Sequence, residues 1–209
     1  HYSFDNILYA ATDIGLFFST DKGKNWTKTN PMGNQYLRKV IKDKQGMLYV
    51  SLVQSGLWRS RNNGIEWERI STTFLSQDVD AIAIDSSGNL YAGTEGGFIY
   101  KSTNQGDSWT LEITGFSASS IVRFITVAND SSIFASARYD GIFHSSNGGH
   151  SWVKITDNLP ANVYFDVAIN NKNELFVSLY EAGIYYSNDL GNSWINITDN
   201  LPKTRIQNI

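Results

Sequence analysis

The chain has 209 residues, 41% of them hydrophobic, and a net charge of −3 from 17 basic and 20 acidic side chains. Because the basic residues form no cluster, the composition argues against nucleic acid as a partner. The absence of cysteine excludes disulfides and thiolate metal ligands. No apolar run reaches the roughly 20 residues of a membrane span, so membrane insertion is not expected.

The first predicted elements are two short runs in which apolar residues alternate with others, LYAAT and GLFFS, and a turn at Gly15 joins them. The same pair of runs returns four more times along the chain, in the strings LYVSLVQSGLWRS, LYAGTEGGFIYKS, IFASARYDGIFHS and LFVSLYEAGIYYS. Two alternating runs around a glycine-containing turn are typical of a β-hairpin. The sequence therefore predicts five hairpins at regular intervals.

Each hairpin leads into a turn of the form Ser-x-Asp/Asn-x-Gly-x-x-Trp, and the tryptophans of these box turns recur every 41 to 43 residues. In chain order, the box turns contain Ser19, Asp21, Gly23 and Trp26; Ser60, Asn62, Gly64 and Trp67; Ser102, Asn104, Gly106 and Trp109; Ser145, Asn147, Gly149 and Trp152; and Ser187, Asp189, Gly191 and Trp194. The Asp or Asn can accept bonds from its own downstream backbone, and the glycine supplies a conformation that other residues resist. We expect these residues to be structural, with each indole as an apolar plug between sheets.

Upstream of each hairpin lies a more buried run, clearest in VDAIAI (79–84) and VYFDVAI (163–169). Each repeat then holds four strands, A to D from the inside outward, and no stretch keeps a helical apolar period. Four short antiparallel strands per repeat predict an all-β fold, a β-propeller of five four-stranded blades. The predicted repeats of this single domain (1–209) are approximately 1–34, 35–76, 77–118, 119–160 and 161–209.

The box turns resemble the Asp-box, S-x-D-x-G-x-x-W, also called the bacterial neuraminidase repeat (BNR), although three of the five carry Asn in place of Asp. The resemblance extends over essentially the whole chain and implies a β-propeller. The family includes sialidases, xyloglucanases, sortilin-like receptors, photosystem assembly factors and sensor ectodomains, so the fold leaves the chemistry open. A WD-type propeller is excluded because no box-turn tryptophan is followed by aspartate.

The two ends of the sequence match one repeat when they are joined. The tail NLPKTRIQNI (200–209) aligns with NLPANVYFDV (158–167), and reading on into His1 continues the pattern without a gap. We expect the ends to share one inner strand and to close a five-bladed ring. The alternative is that the chain is a slice of a larger propeller.

No residue set in the sequence meets the requirements of a catalytic or metal site. The Phe/Tyr-Arg-Ile-Pro motif that a sialidase resemblance implies is absent, since YLRK (36–39) and TRIQ (204–207) both differ from it. Asp80 and Asp166 are conceivable as the paired carboxylates of a glycosidase, but polar lining of a wet channel is the favoured interpretation. The serines of the box turns lack a nucleophile elbow, and these turns lack the ligands of a calcium loop. We therefore predict no enzyme, no cofactor and no metal.

A ligand is expected on the face formed by the B–C and D–A loops, because the opposite face carries the structural turns. The candidate ligand-binding residues are Arg38, Asp80, Arg123, Tyr139 and Tyr180. Since the loop residues differ between blades, we predict a non-catalytic protein- or peptide-binding scaffold of an exported bacterial protein, monomeric and extracellular or periplasmic. The alternatives are a carbohydrate-binding lectin, which would gain avidity from repeated sites, and, ranked last, a glycoside hydrolase fragment.

Overall fold

The computed structural model describes residues 7–29, 35–112, 115–160, 164–179 and 182–199, and within these ranges every regular element is a strand. None of the described segments is a helix long and apolar enough to cross a membrane. The first sheet contains β1 (Leu8–Thr12), β2 (Gly15–Ser19) and β3 (Thr27–Thr29). The second contains β4 (Leu37–Lys42), β5 (Leu48–Leu52), β6 (Gly56–Ser60) and β7 (Glu68–Arg69). The third contains β8 (Val79–Ile84), β9 (Leu90–Thr94), β10 (Ile99–Ser102) and β11 (Thr110–Glu112).

The last two sheets also contain four strands each. The fourth contains β12 (Val122–Val127), β13 (Ile133–Ala137), β14 (Gly141–Ser145) and β15 (Val153–Lys154), and the fifth contains β16 (Tyr164–Ile169), β17 (Leu175–Leu179), β18 (Gly183–Ser187) and β19 (Ile195–Asn196). Every sheet is an antiparallel meander in chain order. The predicted all-β propeller architecture is confirmed.

The inner strands of the second to fifth sheets line a shared channel. Strand β8 packs against β4 and β12, and β12 packs against β16. Lys39 of β4 places its Nζ atom 5.7 Å from the ring centroid of Phe124 in β12, although a whole sheet lies between them in sequence. Burial lowers the pKa of Lys39, an effect that the charge of Asp166 in β16 opposes. Inner strands from three sheets therefore meet around this lysine.

The predicted closure of the ring involves residues 200–209 and 1–6, which lie outside the described residues. The first sheet accordingly shows three strands within the described ranges, where the other sheets show four. The five-bladed ring and the repeat bounds stay predictions.

The hydrophobic core lies between neighbouring sheets. Tyr49, Tyr91 and Phe134 occupy equivalent places in the second strands, and each is at most 1% exposed. Between the second and third sheets, Phe74 stacks on Tyr100 with ring centroids 3.9 Å apart. Such interlocked aromatic faces contribute stability beyond the area that they bury.

Four of the five box-turn tryptophans are partly buried and pack against the hydrophobic clusters between neighbouring sheets, namely Trp67, Trp109, Trp152 and Trp194. Trp109 Nε1 donates to the carbonyl of Ile70 in the preceding repeat at 2.8 Å, and Trp194 makes the same bond to Ile155 at 2.9 Å. Trp67 and Trp152 instead bond within their own turns, and Trp26 is 43% exposed. The four partly buried indoles therefore extend the apolar contacts between sheets, while the structural role of the box turns stays a prediction.

The five box turns share one hydrogen-bond pattern. Each serine hydroxyl donates to the Asp or Asn Oδ1 at 2.7–3.1 Å and accepts the glycine amide at 2.8–2.9 Å. The glycines have φ between 86° and 93°, a region in which a side chain is strained. The serines are about 1% exposed, so their hydroxyls replace water for otherwise unpaired backbone groups.

The two box turns that contain aspartate predict how the stability of the fold changes with pH in the acid range. Hydrogen bonds from Asn25 and Ser19 lower the pKa of Asp21 to about 2, and those from Ser193 and Ser187 do the same for Asp189. Since the unfolded value is about 4, this stabilisation is present above pH 4 and is lost as the pH falls through 2. The urea midpoint of the Asp21→Asn/Asp189→Asn variant should fall less than that of the wild type between pH 5 and pH 2.

A converse variant controls this experiment. Asn104 Oδ1 accepts the Ser108 amide at 2.9 Å, the same bond that Asp189 accepts from Ser193. The urea midpoint of the Asn104→Asp variant should therefore fall more than that of the wild type between pH 5 and pH 2. Identical acid profiles for all three proteins would contradict the account.

Candidate functional site

A β-bulge recurs at the same place in the inner strands of the second to fifth sheets. The pairing register shifts between Leu37 and Lys39, between Val79 and Ala81, between Val122 and Phe124, and between Tyr164 and Asp166. The residues left without a cross-strand partner are Arg38, Asp80, Arg123 and Phe165. A bulge re-aims side chains locally and is frequent beside functional sites. In the second to fourth sheets the bulge directs polar side chains, those of Arg38, Asp80 and Arg123, to one end of the channel.

Three of these bulged residues form ion pairs across three consecutive sheets. Arg38 Nη1 donates to Asp80 Oδ1, and Arg123 Nη1 lies 3.9 Å from the same oxygen. The Asp80 side chain is 5% exposed, whereas those of Arg38 and Arg123 are 28% and 37% exposed. A second acid, Asp78, lies 3.5 Å from Arg38 Nη2 and accepts the amide of Gln54 at 3.0 Å. Arg38, Asp80 and Arg123, three of the candidate ligand-binding residues from the sequence, therefore lie together in the structure.

An open cavity of about 800 Å³ lies over these residues, within the usual size range of small-molecule sites. Residues of this channel-mouth cavity that bear on its chemistry are Asp13, Tyr36, Arg38, Lys39, Asp80, Arg123 and Phe124. Asp13 belongs to the turn between β1 and β2 and is exposed. Tyr36 precedes β4 and is 56% exposed. The cavity thus combines two carboxyl groups, cationic side chains and an exposed aromatic ring.

Tyr139 belongs to the turn between β13 and β14 and is not among the residues that line the cavity. Its side chain is 52% exposed, and the Arg138 guanidinium carbon lies 5.2 Å from its ring centroid. Burial, followed by the charges of Arg138 and Arg38, lowers the pKa of Arg123, while Tyr139 and Glu95 oppose the effect. The remaining candidate, Tyr180, lies outside the described residues. No group of three or more His, Asp or Glu side chains in the described ranges could hold a metal ion.

Sequence reasoning did not select several residues of this site. Asp13, Tyr36 and Lys39 were not among the candidates, although Asp13 occupies a B–C turn on the chosen face. Tyr36 could have been found because it lies two residues before Arg38, and residues two apart in an extended segment face the same side. Lys39 could not be found in this way, because the bulge at Arg38 interrupts the alternation of strand β4.

A model of the DUF6242 beta propeller domain matches residues 2–121 of the chain. The chain belongs to this propeller family. It is 26% identical over 168 residues to a xyloglucanase of Paenibacillus sp, and the aligned region covers 73% of the chain and 16% of that relative. It is 29% identical over 114 residues to the xyloglucanase of Hypocrea jecorina (strain QM6a), with 51% and 14% covered. Among solved structures, an ancestral GH74 enzyme superimposes with a TM-score of 0.84 at 19% identity, covering 98% of this chain and 31% of that one.

These relatives correct the functional prediction made from the sequence. The non-catalytic protein- or peptide-binding scaffold, and with it the exclusion of an enzyme, is wrong, because both curated relatives are xyloglucanases. The glycoside hydrolase interpretation, which was ranked last, is the one that the relatives favour. The error has a physical origin, since the ion-paired residues of a channel have the same composition whether or not a substrate reaches them.

Proposed function

We propose that the chain is the propeller of a glycoside hydrolase that acts on a polysaccharide, and that the channel-mouth cavity receives the sugar chain. The observation that carries this proposal is the similarity to a xyloglucanase over 73% of the chain. Because the chain spans 16% and 14% of the two relatives, their activity is transferred here as a proposal. An open cavity with an exposed aromatic ring at its wall suits a polymer better than an enclosed pocket does.

The carboxyl groups of the cavity support this chemistry. Glycosidases use two acids that flank the scissile bond, one of which exchanges a proton with the leaving group. Asp80 is engaged by two arginines, whereas Asp13 is exposed and makes no ion pair among the described residues. We assign Asp13 as the carboxyl group that gives its proton to the leaving oxygen, and Asp80, which the two arginines hold in place, as the second acid, which takes a proton from the attacking water.

The family and location follow from the same proposal. The shared hydrogen bonds of the box turns support membership of the Asp-box group within the propellers. A polysaccharide substrate favours an extracellular or periplasmic site of action, since polymers of this size do not enter cells.

Release of reducing ends from xyloglucan tests the proposed function. The chain is assayed in its full-length protein, with a heat-inactivated sample as the blank and chitin as the control polymer. We expect reducing ends to accumulate with xyloglucan above the blank and not with chitin. Failure to release reducing ends from any glucan-backbone polymer, from protein whose near-ultraviolet circular dichroism shows it to be folded, would contradict the proposal.

A further inference from the structure

A second cavity, of about 300 Å³, lies beside the box turn of the second sheet, and we call it the box-turn cavity. Its lining residues come from β6, from the turn and from β7, namely Arg59, Arg61, Asn62, Glu66, Trp67 and Glu68. It shares no lining residue with the channel-mouth cavity, which includes Val53, before the other end of β6. The length of β6, roughly 17 Å for five residues, therefore separates the two cavities.

Hydrogen bonds hold the polar wall of the box-turn cavity in place. Arg59, whose side chain is 2% exposed, donates from Nε to Glu68 Oε1 at 2.9 Å. Arg61 Nε donates to the same oxygen at 3.0 Å, and this bond is the largest cause of the lowered pKa of Glu68. Across the turn, Asn62 Nδ2 donates to Glu66 Oε2 at 3.1 Å. Because these groups are ordered in advance, a ligand loses little binding energy in fixing them.

The same wall keeps donors and acceptors for a ligand. Within the described ranges, Arg61 Nη1 donates no hydrogen bond, and Glu66 Oε1 and Glu68 Oε2 accept none. The side chains of Arg61 and Glu68 are 54% and 51% exposed, and Glu66 is exposed as well. Two arginines and two glutamates line the cavity, and Asp107 also pairs with both arginines. The wall therefore has no excess positive charge to attract an anion.

The indole of Trp67 adds an apolar surface beside these polar groups. It is partly buried against the cluster between the first two sheets, and its Nε1 donates to the Gly64 carbonyl at 3.0 Å. Both contacts fix the ring. A rigid aromatic surface next to donors and acceptors suits a ligand with an apolar face and a polar edge. A neutral pyranose ring has C–H groups on its faces and hydroxyl groups at its edge.

We propose that the box-turn cavity binds a neutral sugar unit of a polysaccharide, with the sugar face on Trp67 and its hydroxyl groups on Arg61 and Glu66. A hydroxyl group both donates and accepts, so neighbouring hydroxyl groups can bond a guanidinium and a carboxylate together, and bonds to charged partners are the stronger kind. A second site on the same protein holds a polymer chain near the channel-mouth cavity and raises its effective concentration there. The inference goes beyond the proposed function, because this site contains neither Asp13 nor Asp80.

Magnetic resonance of the tryptophan indoles tests the site. The chain has six tryptophans, so the indole N–H signals are few, and a Trp67→Phe variant assigns the signal of Trp67. We expect a β-1,4-linked glucose hexamer, titrated into the full chain, to shift this signal with a Kd below about 1 mM. A Trp67 signal that does not move would overturn the inference, as would an equal shift caused by inorganic sulfate at the same concentration.

Trp152 provides the control within the same spectrum. Its indole donates to a carbonyl of its own turn, as that of Trp67 does. Its turn has Ser146 and Ser151 at the places that an arginine and a glutamate occupy in the second sheet. The Trp152 signal should therefore stay in place, and equal shifts of the two signals would contradict a site at the box-turn cavity.

A double variant removes the proposed polar contacts. Arg61→Ala/Glu66→Ala should weaken hexamer binding at Trp67 by at least about ten-fold, because bonds to two charged groups are lost. Lys154→Ala/Asp157→Ala removes one cation and one acid that are 40% and 73% exposed and do not line the cavity, and it should keep the wild-type Kd. Urea midpoints check folding, and Glu66→Gln, which should also weaken binding, provides the test if the double variant is unfolded. An unchanged Kd would overturn the inference.

The outcomes also distinguish this inference from the proposed function. The titration is repeated with Asp13→Asn, which leaves the box-turn cavity intact and should show the same shift of the Trp67 signal. If xyloglucan is hydrolysed and the signal does not move, the second site fails and the hydrolase stands. If the signal moves and no glucan polymer is cleaved, the second site stands and the hydrolase fails. If neither occurs, both fail.

Discussion

Asp13→Asn should lower the kcat for polysaccharide hydrolysis by a factor of about 10²–10⁴, the usual contribution of a general acid or base. The amide has the shape of the carboxyl group but cannot exchange a proton with the leaving oxygen. Because Asp13 is exposed in the turn between β1 and β2, the substitution should leave the fold intact and change KM by less than about three-fold. Initial rates of reducing-end release over a range of polymer concentrations separate kcat from KM.

A matched control uses an aspartate outside the cavity. Asp157 is 73% exposed in its side chain and is paired with Lys154, and it does not line the cavity. Asp157→Asn should retain the wild-type kcat within experimental error. If Asp13→Asn keeps more than half of the wild-type kcat, Asp13 is not the proton-exchanging group.

Arg59→Ala should lower the free energy of unfolding by about 2–4 kcal/mol, as expected for a buried network of charge-assisted bonds. The Arg59 side chain is 2% exposed and joins the second sheet to the third box turn. Its Nη1 donates to the Gln105 carbonyl at 2.6 Å, its Nη2 to Asp107 at 2.8 Å, and its Nε to Glu68 at 2.9 Å. Removing the side chain also leaves the Gln105 carbonyl without this partner.

Arg61 provides the comparison, because it pairs with the same two acids. It lies 3.0 Å from Glu68 and 3.4 Å from Asp107, but its side chain is 54% exposed. Exposed ion pairs contribute about 0–1 kcal/mol, so Arg61→Ala should have a small effect. Urea unfolding of the two variants measures the difference, and equal losses of stability would show that burial does not decide the strength of this network.

The repeat pattern predicted most of the fold because each box turn fixes a local geometry. The serine, the Asp or Asn and the glycine satisfy one another within a few residues, so their spacing determines where each outer hairpin turns. The equivalence of Arg38, Asp80 and Arg123 could likewise be found by aligning the repeats. Both inferences concern features that recur once in every repeat, so the spacing of residues in the sequence is enough to find them.

The rest of the site depends on structure that the period does not record. The bulges at the inner strands add one residue without changing the repeat length, so the places of Lys39 and Phe124 in the channel could not be found from alternation. Asp13 and Asp80 are far apart in sequence and share a cavity only because different blades face one channel. A single sequence does not show which second carboxyl group will lie near a carboxyl group in a variable loop.

The rate of reducing-end release from xyloglucan, measured for the wild-type protein beside Asp13→Asn, tests the central claim most directly. The claim is that the channel-mouth cavity is the site of polysaccharide hydrolysis. It predicts a measurable wild-type rate that falls by about 10²–10⁴ in the variant, while Asp157→Asn stays at the wild-type rate. A wild-type rate that Asp13→Asn leaves unchanged would place the chemistry elsewhere in the protein, and no rate at all from folded protein would contradict the claim.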